Sequence, residues 1–440
     1  MKINMPQAVK EIIATLQQNN YEAYAVGGCV RDSILGREPN DWDITTSASP
    51  EEVKALFRRT IDTGIEHGTV TIMIDKVGYE VTTYRIDGKY EDGRHPTEVT
   101  FTRNLKEDLL RRDFTVNAMA YNDSDGLVDI FGGLQDIENK VIRCVGDPRA
   151  RFTEDALRLL RAIRFAAQLG YTIEEETREA MKEIAGNLTK ISAERIQVEL
   201  VKTLVSPNPM MLKDAYELGL TKYFMPEFDL AMETEQHNRH HMYTVGRHSL
   251  VAVQSIRADK VLRLTMLMHD LGKPLCITTD EEGIDHYYGH PAKSEEIARE
   301  ILHRLKFDND TIRKVCVLVR HHDERIVPGT KYMRRAVAHI GEDAFPALFE
   351  VQEADIMAQS NYKREQKLDA LATNRKDYDE ICALNQCVSK ATLAVTGKDL
   401  IDCGMKPGKE IGRVLDLMLK DVIEEPEHNN KEYLLKKFLP

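Results

Sequence analysis

Asp41 and Asp43 flank Trp42 in the β-like run WDITT, and this pattern constrains the chain more than any other. Side chains two apart on a strand share a face. Both carboxylates are therefore expected together, with Trp42 turned to the opposite, packed side. Paired carboxylates repel unless a cation neutralises them, and hard oxygen donors of this kind suit Mg²⁺ carried with a nucleotide's phosphates. Just upstream, the Gly27-Gly28 turn leaves backbone N–H groups free to approach phosphate, and Arg31 can pair with it.

Residues 1–140 alternate β-like and helical runs. Ala8, Ile12, Ile13 and Leu16 have helical spacing. EAYAV reads as a strand, VRDSIL as a helix, and GTVTIMIDKVGYEVTTYR as a hairpin turning near Lys76 to Gly78. From about residue 150 the chain is almost wholly helical, with Pro207 and Pro209 separating two segments. Ten of the fourteen histidines fall between His237 and His322, which marks that stretch as a module of its own. The expected class is α+β, a mixed-sheet head with helices followed by all-helical domains. The divisions are a head (1–140), a neck (141–235), a histidine-rich module (236–360) and a tail (361–440).

No run approaches the roughly 18–20 apolar residues of a membrane helix, so no membrane association is expected. The start lacks a charged-then-apolar secretion signal. The seven cysteines form no CxxC pair and read as free thiols in a reducing cytoplasm. A net charge of −12 does not advertise a nucleic-acid binder. RNA responds to local patches, however, and residues 143–164 hold six arginines against three acids.

The run Gly27-Gly28-Cys29-Val30-Arg31-Asp32, then Leu35-Gly36-Arg37 and Asp41-Trp42-Asp43, resembles the opening motif of the class II tRNA nucleotidyltransferase and bacterial poly(A) polymerase family. Arg111-Arg112-Asp113-Phe114-Thr115-Val116-Asn117-Ala118 is similar to the family's ribose-recognition motif. Glu154-Asp155-Ala156-Leu157-Arg158-Leu159-Leu160-Arg161 and ISAERIQVEL follow in the family's order, over residues 22 to about 205. The resemblance implies a polymerase-β-like head in which Asp41 and Asp43 hold catalytic Mg²⁺. Gly28, Arg31, Arg112, Asp113 and Asn117 would then contact the nucleotide. Related polymerases add a third carboxylate from a neighbouring strand, and Glu80 is the candidate.

Asp155 and Arg158, three apart on a helical stretch, are expected to be neighbours. Cytosine and adenine each place an exocyclic amino donor beside a ring-nitrogen acceptor. A carboxylate with a guanidinium would accept both and reject uracil and guanine. The resemblance assigns this templating role to that pair. Arg161 and Arg164 continue the spacing, but each step of three turns about 60° around a helix. They are expected in nucleotide contact or helix packing.

Thr63-Gly64-Ile65-Glu66-His67-Gly68-Thr69-Val70 looks like the CCA-adding branch, and Asp87 to Pro96 resembles the flexible loop of full CCA-adding enzymes. The implied activity is addition of C, C and A to the tRNA 3′ end from CTP and ATP with release of pyrophosphate. A poly(A) polymerase or an A-adding specialist remains the alternative. In the histidine-rich module, His248, His269-Asp270 and Asp355 match the order of the HD phosphohydrolase superfamily, which implies a divalent-metal site and a second, phosphohydrolase activity. His290, His321 and His322 are further candidate ligands. The tail's Gly397, Gly404, Gly408 and Gly412 lie among lysines, and the resemblance gives this region to the tRNA body. A rival of another class is an HD hydrolase whose head only binds RNA.

Overall fold

A computed structural model describes residues 2–87 and 99–439, so most of the flexible-loop segment expected at 87–96 lies outside the described residues. The chain forms two compact units, Met1–Phe224 and Met225–Pro440.

In the first unit, α1 (Gln7–Gln18) precedes β1 (Ala23–Val26), α2 (Gly28–Ile34), β2 (Ile44–Thr46) and α3 (Pro50–Leu56). Then come β3 (Thr60–Gly64), β4 (Thr69–Ile74), β5 (Val77–Thr83) and a small outlying pair, β6 (Arg85–Asp87) and β7 (Val99–Phe101). After α4 (Leu105–Leu110), β8 (Met119–Asn122) and β9 (Gly126–Asp129) complete a seven-stranded sheet in the order β3-β4-β5-β2-β1-β8-β9. The β2–β5 pairing is parallel and the other pairings in this sheet are antiparallel. Helix α1 buries Val9, Ile12, Ile13 and Leu16. Val9 takes the place that the sequence reading gave to Ala8, which is only half-buried.

Two expectations for the sheet need correction. Strand β2 begins at Ile44 and is buried throughout. Asp41 and Asp43 precede it, with the Asp43 carbonyl accepting the Val26 N–H at 3.0 Å. A strand in mid-sheet under helices cannot carry two carboxylates inside, so they lie at its mouth. The hairpin turns at Asp75-Lys76, not at Lys76–Gly78. Both residues have positive φ, 49° and 68°, as a two-residue turn matched to strand twist requires.

The helices α5 (Gly133–Asn139), α6 (Pro148–Glu154), α7 (Leu157–Leu169), α8 (Glu175–Ile184), α9 (Ala193–Leu204) and α10 (Leu212–Glu217) finish the first unit. Asp155 is not on a continuous helix with Arg158, as the spacing had suggested. Asp155 is extended (φ −139°, ψ 101°), and its Oδ1 accepts the Leu157 N–H at 3.0 Å. A short acid that caps the next helix breaks the run there.

The second unit is helical: α11 (Pro226–Glu233), α12 (Val245–Ser255), α13 (Lys260–Met268), α14 (Lys273–Cys276), α15 (His290–Arg304) and α16 (Asn309–His321). It continues with α17 (Thr330–Ile340), α18 (Phe345–Ala358), α19 (Arg364–Ala383), α20 (Gly397–Asp402), α21 (Lys409–Glu424) and α22 (Lys431–Phe438). Helix α11 packs on α12, so this unit starts about ten residues before the boundary read at 235. Helix α19 packs on α17 and α18, which ties the start of the tail to the histidine-rich module. Val395, Leu400, Met418, Val422 and Leu434 form the core beneath α20–α22.

Candidate active site

The parallel register Ile44↔Val81 sets Asp43 beside Glu80 one step earlier. The carboxylates of Asp41, Asp43 and Glu80 remain accessible. Surrounding protein nevertheless desolvates Asp43 enough to raise its carboxyl above the ordinary range. The charge of Asp41 raises it further, Arg112 opposes, and Glu80 adds to the rise. An Asp43 carboxyl raised by two neighbouring acids belongs to a set that a hard cation would relieve. The residues thus fit the Mg²⁺ expected of them.

Arg112 arrives from the end of α4. Gly27 has φ 84°, and a Cβ there would stand 3.2 Å from Arg112 Nη1, so only glycine lets the turn and the guanidinium meet. Buried Asp108 holds this corner. It accepts from Arg111 at 2.9 Å, from Arg112 at 3.4 Å and from Thr45 at 3.0 Å.

Behind the turn runs a buried polar chain. Arg31 donates to Asp32 Oδ1 at 2.9 Å and to Asn117 Oδ1 at 2.6 Å. Asn117 donates to Asp113 at 3.2 Å, and Arg161 pairs with the other Asp113 oxygen at 2.6 Å. Burial alone would raise the Asp113 carboxyl, but Arg161 and Asn117 outweigh it and hold it down at about 2. The guanidiniums of Arg31, Arg161 and Arg164 lie 5.2, 5.3 and 4.0 Å from the Phe165 ring centre, within cation–π range. Arg164 is also paired with buried Glu199 at 2.5 Å.

Asp155 and Arg158 are each already paired. Asp155 Oδ2 accepts from Arg195 at 2.7 Å. Arg158 donates to Glu154 at 2.7 Å, to the Arg151 carbonyl at 3.0 Å and to the Arg111 carbonyl at 2.9 Å. Sequence reasoning did not single out Asp108, Phe165, Glu199 or Arg195. Arg195 and Glu199 lay in the quoted ISAERIQVEL segment at a four-residue spacing that could have flagged them.

In the second unit the structure gathers six of the seven candidate ligands. His248, His269, His290 and His322 are all buried around Asp270. Each directs Nδ1 at a backbone carbonyl: Ala358 at 3.3 Å, Met266 at 2.7 Å, Tyr287 at 2.8 Å and Val319 at 2.7 Å respectively. Those bonds occupy Nδ1 as a donor and turn each Nε2 inward, the orientation typical of ligating imidazoles. The Nε2 atoms of His248 and His269 lie 3.4 and 3.2 Å from Asp270 Oδ2, and those of His290 and His322 lie 3.3 and 3.5 Å from Oδ1. Asp355 Oδ1 stands 2.9 Å from His248 Nε2.

Neither Asp270 oxygen has a well-directed hydrogen bond, although Lys273 Nζ comes within 2.6 Å of Oδ2. Burial opposes charge on His269, yet Asp270 and Asp355 raise its pKa to about 10. The cluster therefore demands positive charge, and its nitrogen and oxygen donors fit a divalent metal. Asp270 is shared by two donor groups, His248–His269–Asp270 and Asp270–His290–His322. His321 is not brought to this cluster. Its Nδ1 meets Glu324 Oε2 at 2.5 Å, and its ring faces His339. Beside the buried cluster, a cavity of about 430 Å³ is lined by His322 and Asp355 together with Arg325, Lys363, Lys367 and Gln359.

A sheet mouth with three acids, a glycine turn and a buried arginine–aspartate chain defines a nucleotidyltransferase head. In agreement, residues 23–143 match the model of the poly(A) polymerase head domain. Residues 170–232 match the probable RNA- and SrmB-binding site of polymerase A, and residues 290–438 match a putative tRNA nucleotidyltransferase domain 2. The chain is 38% identical to a CCA-adding enzyme of Levilactobacillus brevis over 98% of this chain and 96% of that one. A CCA-adding enzyme of Lactiplantibacillus plantarum is 54% identical over 46% of this chain and 50% of its own. The crystal structure of a Bacillus stearothermophilus CCA-adding enzyme in complex with CTP aligns with a TM-score of 0.71 at 29% identity, covering 98% of this chain and 97% of that one. The chain belongs to the CCA-adding enzyme family.

Proposed function

We infer that this chain completes tRNA 3′ ends by adding C, C and A from CTP and ATP. The observation that carries this reading is the Asp41–Asp43–Glu80 set at the sheet mouth, one turn from Gly27-Gly28 and Arg112, in a chain of CCA-adding relatives. Asp41 and Asp43, with Glu80, would hold Mg²⁺, which when bound neutralises the triphosphate and acidifies the attacking 3′-hydroxyl. The Gly27 N–H is taken by the Met119 carbonyl at 3.2 Å, so the Gly28 N–H that opens α2 and Arg112 hold the phosphates, while Asp113 and Asn117 keep Arg31 and Arg161 in place behind them. Asp155 accepts from the amino group of C or A, and Arg158 donates to the ring nitrogen. Their contacts with Arg195 and Glu154 keep both side chains oriented until a base arrives. A uracil or guanine would set an acceptor against Asp155 and a donor against Arg158, a mismatch of about 1–3 kcal/mol for each group. The tail's lysines contact the tRNA body, and the work is assigned to the cytoplasm.

The test is extension of tRNA transcripts that end before CCA, after C and after CC, read at single-nucleotide resolution. Growth by the missing residues with a stop at CCA is expected. Long A tails, or addition only to the CC-ending transcript, would transfer the assignment to a poly(A) polymerase or an A-adding specialist.

A second reading concerns the module at 236–360 and rests on the shared, buried Asp270. Its four inward imidazoles and two acids would hold a divalent metal pair, which when bound activates water toward a phosphate ester. Arg325, Lys363 and Lys367 on the adjoining cavity would receive the phosphate. Release of phosphate from RNA ends by wild type but not by an Asp270→Asn variant is the expected result. Equal release by both would dismiss this activity.

A further inference from the structure

Two adjacent histidines at the end of α16 leave the helix in different directions. His322 is buried and turned to Asp270, whereas His321 is half-exposed and bonded to Glu324. His339, on the exposed face of α17, sets its ring edge-on to that of His321, with centroids 5.3 Å apart and planes at 87°. One donor atom from each of His321, Glu324 and His339 lies within 4.8 Å of the others. A tetrahedral zinc ion with nitrogen and oxygen ligands at about 2.0–2.1 Å needs donors about 3.3 Å apart. The three donor atoms all lie within 4.8 Å of one another, and His321 Nδ1 stands 2.5 Å from Glu324 Oε2, so the group is close to that spacing. Small rotations about side-chain bonds would close it. Two imidazoles and one carboxylate also match a known zinc donor set that leaves a fourth position for water.

We propose that His321, Glu324 and His339 form a surface site for a single zinc-like ion, separate from the buried cluster around Asp270. The ion joins the end of α16 to α17 across the connector at 323–329. That connector is fastened to α18 and α19 by side chains. Gln352 donates to the Glu324 carbonyl at 3.0 Å, Asn374 donates to the Ile326 carbonyl at 3.2 Å, and Asp377 accepts the Gly329 N–H at 2.7 Å. Glu324, Arg325 and Ile326 also line the cavity beside Asp355. An ion held by Glu324 and both helices therefore fixes one wall of that cavity. Its effect on stability grows with free zinc as any ligand specific to the folded state requires. The competing account is a plain ion pair between His321 and Glu324 with His339 merely packed against it, and the two accounts differ in the number of bound ions.

The site exists whether or not the buried cluster hydrolyses anything, and the experiment keeps the two apart. The full-length chain is stripped of metal and titrated with zinc against a chelating indicator of submicromolar affinity, then with cobalt while visible absorption is followed. Wild type, His339→Ala and Asp270→Asn are compared. His339→Ala is expected to bind one zinc fewer than wild type and to lose one component of the cobalt spectrum, while CCA addition stays unchanged. Asp270→Asn is expected to keep that component. His339→Cys should restore the ion and add a sulfur-to-cobalt charge-transfer band. Equal zinc stoichiometry in wild type and His339→Ala, or binding at this group only at millimolar zinc, would overturn the proposal. Because the surface ion is read in Asp270→Asn, failure of the buried cluster to take metal would count against the phosphohydrolase reading alone.

Discussion

The sheet mouth in the first unit and the histidine cluster in the second use the same elements of chemistry in opposite ways. Asp41, Asp43 and Glu80 are accessible, and among the described residues Arg112 is the cation that opposes the rise at Asp43. Asp270 is buried, ringed by four imidazoles and approached by Lys273. An open oxygen-only set suits an ion that comes and goes with each nucleotide. A buried set of oriented nitrogens suits an ion that stays. The difference teaches that burial and donor type, more than the number of acids, decide whether a site is loaded by its substrate or by the cell.

The largest expected effect comes from breaking the buried side. Asp270→Ala in the metal-free chain leaves Lys273 without its counter-charge and His269 with Asp355 alone. It should cost about 3–5 kcal/mol, read as an earlier denaturation midpoint for the second unit. A midpoint unchanged within error would show that the cluster is not stabilised by that carboxylate.

Breaking the open side should act on rate and leave stability alone. Asp41→Ala or Asp43→Ala is expected to lower nucleotide addition by at least about 100-fold, with an unchanged melting curve. Retention of near-normal addition by both variants would remove these residues from the chemistry.

Selection of the base should respond less. Arg158→Lys keeps the charge but loses the planar fork, so discrimination of ATP and CTP against UTP and GTP should fall by about tenfold to a hundredfold. Competition assays with mixed nucleotides would measure it.

The last effect is a pH dependence. Asp113 titrates at about 2 in the folded chain, against an ordinary value near 3.8. Its contribution is therefore full above about pH 4 and is lost as pH falls toward 2, amounting to about 2 kcal/mol. Asp113→Asn should flatten that part of the acid limb of the first unit. An unchanged limb would place the acid sensitivity elsewhere.

Much of this was legible in the sequence because it is local. The GG turn, the two aspartates, the hairpin and the His-Asp pair each declare themselves over a few residues. The burial of β2 was not legible, since WDITT does not reveal that its neighbours in the sheet come from residues 23–26 and 77–83. Helical spacing put Asp155 and Arg158 on one helix; the Asp155 carbonyl does accept the Arg158 N–H at 3.0 Å, but the Leu157 N–H donates to the Asp155 side chain and the helix is broken there. His321 and His322 could not be told apart by position. Only the packing of α16 shows that one ring points inward and the other toward α17. Phe165 and Asp108 escaped notice because an aromatic or an acid at helical spacing is ordinary until three guanidiniums are seen to converge on it.

The separation of the two sites is tested most directly by one paired measurement. Protein dialysed without metal is assayed by mass spectrometry for retained ions, and the same sample is given tRNA lacking CCA with CTP, ATP and Mg²⁺. Wild type is expected to retain divalent metal that Asp270→Asn has lost, and the two should complete the CCA end at equal rates. Loss of CCA addition in Asp270→Asn, or equal metal content in the two proteins, would contradict the account.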